Sequence, residues 1–295
     1  MIPVDNAILM AAGAASRMAP LSYECPKALL RVHGEILIER QIRQLQECGI
    51  KEIIVVLGYQ KEKFQYLQDK YNVILLENNE YNIKNNHSTL YVARQYLKNS
   101  YICTVDMYYT MNLFQSHEPH AYYSVKYDEG ETDEWCVETD KNDRIINVQI
   151  GGRDSWTMTG HVFFTHEFSN KLIPYIEQAY HDPNAANMYW EDLYIRHLDE
   201  FDMYAKKYKN GLMLEFDSLE DLRQYDPTYK TNSGSKILQT ICQKLHCLEE
   251  DIINIKPIKQ DAEAIGFQFH CHQEQYYYLY KTEELVQELE SLLAS

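Results

Sequence analysis

Neither of the two familiar phosphate-loop signatures occurs in this 295-residue chain: there is no GxxxxGK[ST] and no GxGxxG. Cationic side chains are also scarce. Lys and Arg number 28 against 44 Asp and Glu, a formal net charge of −16, and this argues against a nucleic-acid or anionic-membrane surface, which would need a basic patch. The seven cysteines (Cys25, Cys48, Cys103, Cys136, Cys242, Cys247, Cys271) contain no CxxC pair, so free thiols in a reducing compartment are expected. A basic n-region at the N-terminus and a long uninterrupted apolar run are both missing; neither a signal peptide nor a membrane span is expected, and the chain reads as cytoplasmic. No internal repeat is visible.

What is present is concentrated in the first thirty residues, AILMAAGAASRMAPLSYECPKALL from Ala7 to Leu30. A short apolar strand runs into Ala11, Ala12, Gly13, Ala14, Ala15 and Ser16, small residues that let backbone N–H groups approach a ligand closely. Pro20 and Pro26 prevent a long helix from starting at once, so the loop is extended and carries two cations, Arg17 and Lys27. An acidic protein that binds a triphosphate needs such local compensation, together with a divalent cation held by carboxylates.

The order G-x-x-S-R-x-x-P-L-S-x-x-x-P-K-x-L resembles the signature of the nucleotidylyltransferases, which join an NTP to a phosphorylated small molecule and release pyrophosphate; Ala15 stands where that signature has a second glycine. The bland alternative is an ordinary strand-to-loop connection with two solvated cations, which leaves the spacing of cations and prolines unexplained. Asp106, in CTVDMYY, and Asp217, in LEFDSLEDL, each follow an apolar strand. The resemblance implies that these are the Mg²⁺ aspartates, and two carboxylates suit that ion's preference for few protein ligands. Asp217 could instead N-cap the helix that begins at Ser218.

The stretch ENNEYNIKNNHSTL, 77–90, lies where this superfamily reads the nucleobase, and Asn85, Asn86 and Ser88 offer donors and acceptors to a cytosine. A polar loop with a helix cap at Ser88 is the alternative. Sugar-1-phosphate members carry a Glu-Lys-Pro motif in a β-rich insert, and DRIINVQIGGRDSW has none. All three tryptophans fall in this part of the chain. Trp135 (in TDEW), Tyr189 and Trp190 (in YWEDL) could form an aromatic cage for a quaternary ammonium, with Glu191 or Asp192 adding negative charge, although any one tryptophan could equally be core.

With TDEW, YWEDL, FDSLEDL and YNIKNNHSTLYVARQYL, the first 225 or so residues resemble the bacterial CTP:phosphocholine cytidylyltransferases. The resemblance implies CTP and phosphocholine as substrates, with Lys126 as the nearest basic residue for the acceptor phosphate. The open alternatives are phosphoethanolamine, aminoethylphosphonate or a sugar 1-phosphate as acceptor, or a non-catalytic nucleotide sensor. A homo-oligomer is compatible with any of them.

Strands alternating with helices up to residue 105 predict an α/β fold, a Rossmann-like mainly parallel mixed sheet flanked by helices. A β-rich insert of four short runs follows (122–127, 135–138, 145–150, 159–164). The expected division is a nucleotidylyltransferase domain over 1–226, a linker over 227–235 of Gly/Ser/Thr/Asn composition, and a small α+β domain over 236–295. That tail, with a terminal helix expected from Glu283, faintly resembles the start of choline-kinase-like proteins but is too short for a catalytic lobe.

Overall fold

A computed structural model of the chain describes residues 1–260 and 263–288. It divides into two compact units, one formed by Met1–Gly13 with Leu37–Glu215, the other by Ala14–Ile36 with the chain from Phe216 onward.

The first unit is built on three apolar runs, NAILMA, EIIVVL and ILLE, whose residues are too few for helices, EIIVVL being rich in β-branched side chains as well. They form β1 (Asn6–Ala11), β2 (Glu52–Leu57) and β3 (Ile74–Glu77), and β4 (Ser100–Thr104) joins them, all pairing in parallel. β5 (Met107–Tyr109) leaves the sheet immediately after Asp106. Beyond it the sheet is completed by β6 (Tyr122–Thr139), β7 (Ile145–Phe164) and β8 (Tyr204–Lys207), in the order β8-β6-β7-β4-β1-β2-β3. β7 is antiparallel to both β4 and β6, so the sheet is mixed around a parallel centre. The flanking helices are α1 (Leu37–Glu47), α2 (Tyr66–Tyr71), α3 (His87–Ala93), α4 (His166–His181) and α5 (Trp190–Arg196). Ile8, Ile54 and Ile102 of the parallel strands share one core with Leu90 of α3, Leu172 and Ile176 of α4, and Trp190 of α5.

Two expectations change here. The four short runs of the insert are two long strands, because their charged and glycine-rich middles stay extended through cross-strand pairs such as Glu131 opposite Arg153, whose side chains lie 3.5 Å apart. Ser88 is not a helix cap: α3 starts at His87, and Ser88 is buried inside its first turn. Among the described residues no helix is long and apolar enough to cross a membrane. All seven cysteines are free thiols.

In the second unit, β9 of the first having ended at Glu215 (Met213–Glu215), the chain forms α6 (Leu219–Tyr225), α7 (Thr228–Thr231) and α8 (Lys236–Leu245). An antiparallel sheet follows, β10 (Ile253–Gln260), β11 (Glu263–Cys271), β12 (Glu274–Leu279) and β13 (Leu285–Val286). The stretch of linker composition holds α7, and its Tyr229 is buried with its hydroxyl donating to the Arg31 carbonyl at 2.6 Å. Asp226 is buried too and accepts the His33 N–H at 2.7 Å. Burial pushes that carboxyl up, but hydrogen bonds from Thr228 and His33 outweigh it and hold it below the ordinary aspartate value. Arg223 is buried as well and donates to the Ile252 carbonyl at 2.7 Å, tying α6 to the sheet. The helix expected from Glu283 is absent over 283–288: Glu283 has φ +56°, and Leu285 pairs with Tyr278 instead. Its remainder lies outside the described residues.

The signature loop belongs to this second unit from Ala14 onward. Its Ala15 has φ 48° and ψ 49°, the left-handed region that costs an L-residue roughly 1–2 kcal/mol and glycine almost nothing. Ala15→Gly should therefore stabilise the protein by about 0.5–1 kcal/mol once the greater freedom of glycine in the unfolded chain is subtracted. A urea midpoint that falls in this variant would contradict the strain assigned to Ala15.

Candidate active site

In the second unit the signature loop and the start of α6 meet through charge. Lys27, buried under the loop, donates from Nζ to Asp217 Oδ1 at 3.0 Å, and the exposed Arg17 reaches the same oxygen at 3.1 Å. Asp217 is left for this role because the N-cap of α6 is Ser218, whose hydroxyl accepts the Asp221 N–H while the Asp221 carboxylate accepts the Ser218 N–H. The cap reading of Asp217 is thereby corrected.

In the first unit, β5 and β9 pair antiparallel with Met107 opposite Glu215, which brings Asp106 beside Glu215. Each offers a carboxylate oxygen, and the two lie within 4.8 Å of each other. Oxygen donors of this hardness, converging from two strands, fit a divalent cation such as Mg²⁺. Glu215 is missed when the sequence is read for aspartates at strand ends. Its signal is the period of two in LEFD, which sets Glu215 and Asp217 on one side of an extended run.

The apolar end of β1 delivers Ala11 and Ala12, both buried, to Gly13, where an added Cβ would meet nothing within 4 Å. Gly58 matters more for packing: a Cβ there would stand 2.6 Å from the Ala12 carbonyl oxygen and 2.6 Å from the Tyr81 ring. Only glycine lets the end of β2, the small-residue loop and Tyr81 close together, and the neighbouring Tyr59 N–H donates to the Ala12 carbonyl at 3.0 Å. A glycine directly after a buried strand is the sequence signal for it.

The residues of the 77–90 stretch are engaged with the protein. Asn85 Nδ2 donates to the Asn187 carbonyl at 3.1 Å. Asn86 Oδ1 accepts the Trp190 N–H at 2.8 Å, and its Nδ2 donates to Glu191 Oε2 at 3.0 Å. Ser88 is fully buried, donates to the Asn85 carbonyl and accepts from Asn78, both at 2.8 Å. These side chains bind the loop to the start of α5, so the geometry gives Asn86 and Ser88 a framing role.

The aromatic residues separate into two groups. Trp135 and Tyr189 face each other nearly at right angles, with ring centroids 5.8 Å apart and interplanar angle 84°, and Tyr189 is 46% exposed. Trp190 is a core residue, corrected from the proposed cage: it is 1% exposed, stacked on Tyr123 and edge-on to Phe164. Alternation at the helix start turns one ring out and the next in. Asp192 accepts the Tyr189 N–H at 2.7 Å and so fixes the outward tyrosine. Lys126 lies 3.5 Å from Asp128.

Glu191 is buried, accepting from Asn86 and, at 3.2 Å, from the Tyr123 hydroxyl. Burial raises its carboxyl from the ordinary 4.5 to about 7, against the pull of those hydrogen bonds. In the folded state it therefore keeps a proton that the unfolded chain has already released. Stability from this group is complete below about 4.5 and is lost as pH rises towards 7. Glu191→Gln should remove that slope, gaining on the wild type between pH 5 and 7 and levelling off above, by about 1–3 kcal/mol at pH 8. Parallel stability–pH curves for the two proteins would refute the assignment.

Comparison with known proteins gives these features their context. Residues 7–189 match the family model of the MobA-like NTP transferase domain. The chain is 31% identical over 228 residues to the choline-phosphate cytidylyltransferase of Streptococcus pneumoniae, covering 77% of this chain and 100% of that one. It is 34% identical over 228 residues to the 2-aminoethylphosphonate cytidylyltransferase of Lancefieldella rimae, covering 76% and 93%. Among solved structures, the CTP:phosphocholine cytidylyltransferase of Streptococcus pneumoniae superposes with a TM-score of 0.72 at 32% identity, covering 74% of this chain and 96% of that one. With the strand order, the loop from Ala11 to Lys27 and the carboxylates in place, the chain belongs to the MobA-like NTP transferase family and is a nucleotidyltransferase.

Proposed function

We propose that this nucleotidyltransferase is a cytidylyltransferase that transfers CMP from CTP to phosphocholine, giving CDP-choline and pyrophosphate. The observation that carries the choline reading is the perpendicular pair Trp135 and Tyr189. Two aromatic faces at right angles attract a quaternary ammonium by roughly 0.5–2 kcal/mol each, and they ask for no hydrogen-bond donor, which that group lacks. Asp192, beside them, adds negative charge. A phosphorylated primary amine, phosphoethanolamine or 2-aminoethylphosphonate, is the second reading, favoured by the 34% identity to a 2-aminoethylphosphonate cytidylyltransferase.

The acceptor's phosphate oxygen attacks the α-phosphorus in line; a P–O bond forms there as the bond to the β-phosphate oxygen breaks, and pyrophosphate carries off the electron pair. The nucleophile's second pKa is about 6, so near neutral pH it needs no strong base. Arg17 and Lys27 neutralise the triphosphate charge, and catalysis is positioning plus charge compensation. Asp106 and Asp217, with Glu215, are the residues that would hold Mg²⁺, which when bound would supply charge neutralisation on phosphate oxygens. Ala11 to Ala14 and Ser16 present backbone to the nucleotide, framed by the loop of Asn85, Asn86 and Ser88, and Lys126 is the candidate for the acceptor phosphate. This work belongs to residues 1–226, in the cytoplasm, with 236–295 as an accessory domain.

Pyrophosphate release over a matrix of NTPs and acceptors with Mg²⁺ tests the reading. CTP with phosphocholine is expected to give the highest kcat/KM; turnover with a sugar 1-phosphate alone would overturn the aromatic-pair assignment. Arg17→Ala or Lys27→Ala should lower kcat on the order of 10²-fold or more. Full activity in Asp106→Asn would contradict the metal assignment.

A further inference from the structure

The match to the choline-phosphate cytidylyltransferase spans 77% of this chain and 100% of that one, and in the second unit the C-terminal segment of this chain grips the signature loop. The contact point is Tyr23-Glu24, between Pro20 and Pro26 and three residues before Lys27 at its nearer end. Glu24 Oε1 accepts the Lys236 N–H at 2.8 Å, and Oε2 accepts the Ser235 hydroxyl. Ser235 is the N-cap of α8 and its Oγ accepts the Leu238 N–H at 3.1 Å. A loop carboxylate therefore completes the N-terminus of a ten-residue helix more than 200 residues away, satisfying an otherwise orphan backbone N–H and complementing the helix dipole. Beside it, Tyr23 stacks on Tyr280 with centroids 3.9 Å apart and planes 6° from parallel. Tyr280 is buried against Phe267 at the end of the tail's sheet, and its N–H donates to the Ile265 carbonyl at 3.0 Å. Strand β10 also lies against the turn Ser16–Met18 that carries Arg17.

We propose that Glu24 and Tyr23 are positioning residues through which the C-terminal module holds the signature loop in the shape that presents Arg17 and Lys27 to the triphosphate. The loop's own structure is three separate short helical turns, Ser16–Met18, Leu21–Glu24 and Lys27–Leu29, divided by two prolines and entered through a left-handed alanine, so no continuous element fixes one turn relative to the next. Three contacts with one module, at the Ser16–Met18 turn, at Tyr23 and at Glu24, reduce that freedom before the nucleotide arrives. The role rests on the reading of Arg17 and Lys27 given above. It also gives the tail a purpose that needs no catalytic group within it.

Two readouts on the full-length protein test this. Hydrogen exchange of amides 16–30 should speed up in Glu24→Ala and in Tyr280→Ala, while amides of β1 and β2 keep their wild-type protection. In steady-state assays both variants should lose kcat on the order of 10-fold, with the acceptor KM within about twofold of wild type, and Tyr280→Phe, which keeps the ring, should restore kcat. If Glu24→Ala does not fold, Ser235→Ala, which deletes a single hydroxyl of the clasp, takes its place. Unchanged loop exchange together with wild-type kcat in folded Tyr280→Ala overturns the proposal. A wild-type protein that turns over no nucleotide–acceptor pair would instead sink the functional reading, and loop exchange in the variants would still decide whether the clasp exists.

Discussion

The carboxylate of Asp217 is the point on which the second unit depends. A chain with net charge −16 must bring positive charge to a polyanion, and it does so on a short loop where Arg17 and a buried Lys27 stand close together. Two cations side by side repel each other, and burying one costs more. Both direct an N–H group to Asp217 Oδ1, which compensates them and orients them at once. For that carboxylate to be available, the helix behind it has to be capped by something else, and Ser218 with Asp221 does so. The tail also bonds the loop, through Tyr23 stacked on Tyr280 and Glu24 at the start of α8.

The first unit obeys a different constraint, the close approach of backbones at the carboxyl ends of parallel strands. Gly58 is there because the Ala12 carbonyl and the Tyr81 ring occupy the space of a side chain. The polar residues of the 77–90 loop bind it to the start of α5, so that Tyr189 is turned outward towards Trp135 while Trp190 fills the core. Glu191 sits between these two duties, buried enough to hold its proton near neutral pH and still bonded to Asn86 and Tyr123.

Much of this was legible in the sequence, for identifiable reasons. Short apolar runs such as EIIVVL can be little else than buried strands, and the spacing of Gly13, Arg17, the prolines and Lys27 carried the loop. What misled were residues whose environment is tertiary. Trp190 reads like Trp135 in sequence, and only the outward turn of Tyr189 decides which indole is core. Asn86 and Ser88 read as base contacts because polar loops do; that Asn86 also bonds Trp190 and Glu191 a hundred residues on, and Ser88 the loop residues Asn78 and Asn85, is a tertiary fact no local pattern carries. The linker-like DPTYKTNSGS hides a buried Tyr229, since turn residues are as good at packing a short helix as at spacing domains. Glu215 went unread because a strand-end glutamate is ordinary until β5 is seen beside it.

In the proposed reaction the protein supplies charge and position, with no side chain that takes the nucleotidyl group itself. The stereochemical course at the α-phosphorus tests that claim most directly. With a single diastereomer of CTP carrying sulfur on the α-phosphate, and phosphocholine as acceptor, direct in-line transfer predicts a product of inverted configuration. Retention would require two displacements through a covalent nucleotidyl–protein intermediate and would contradict the account.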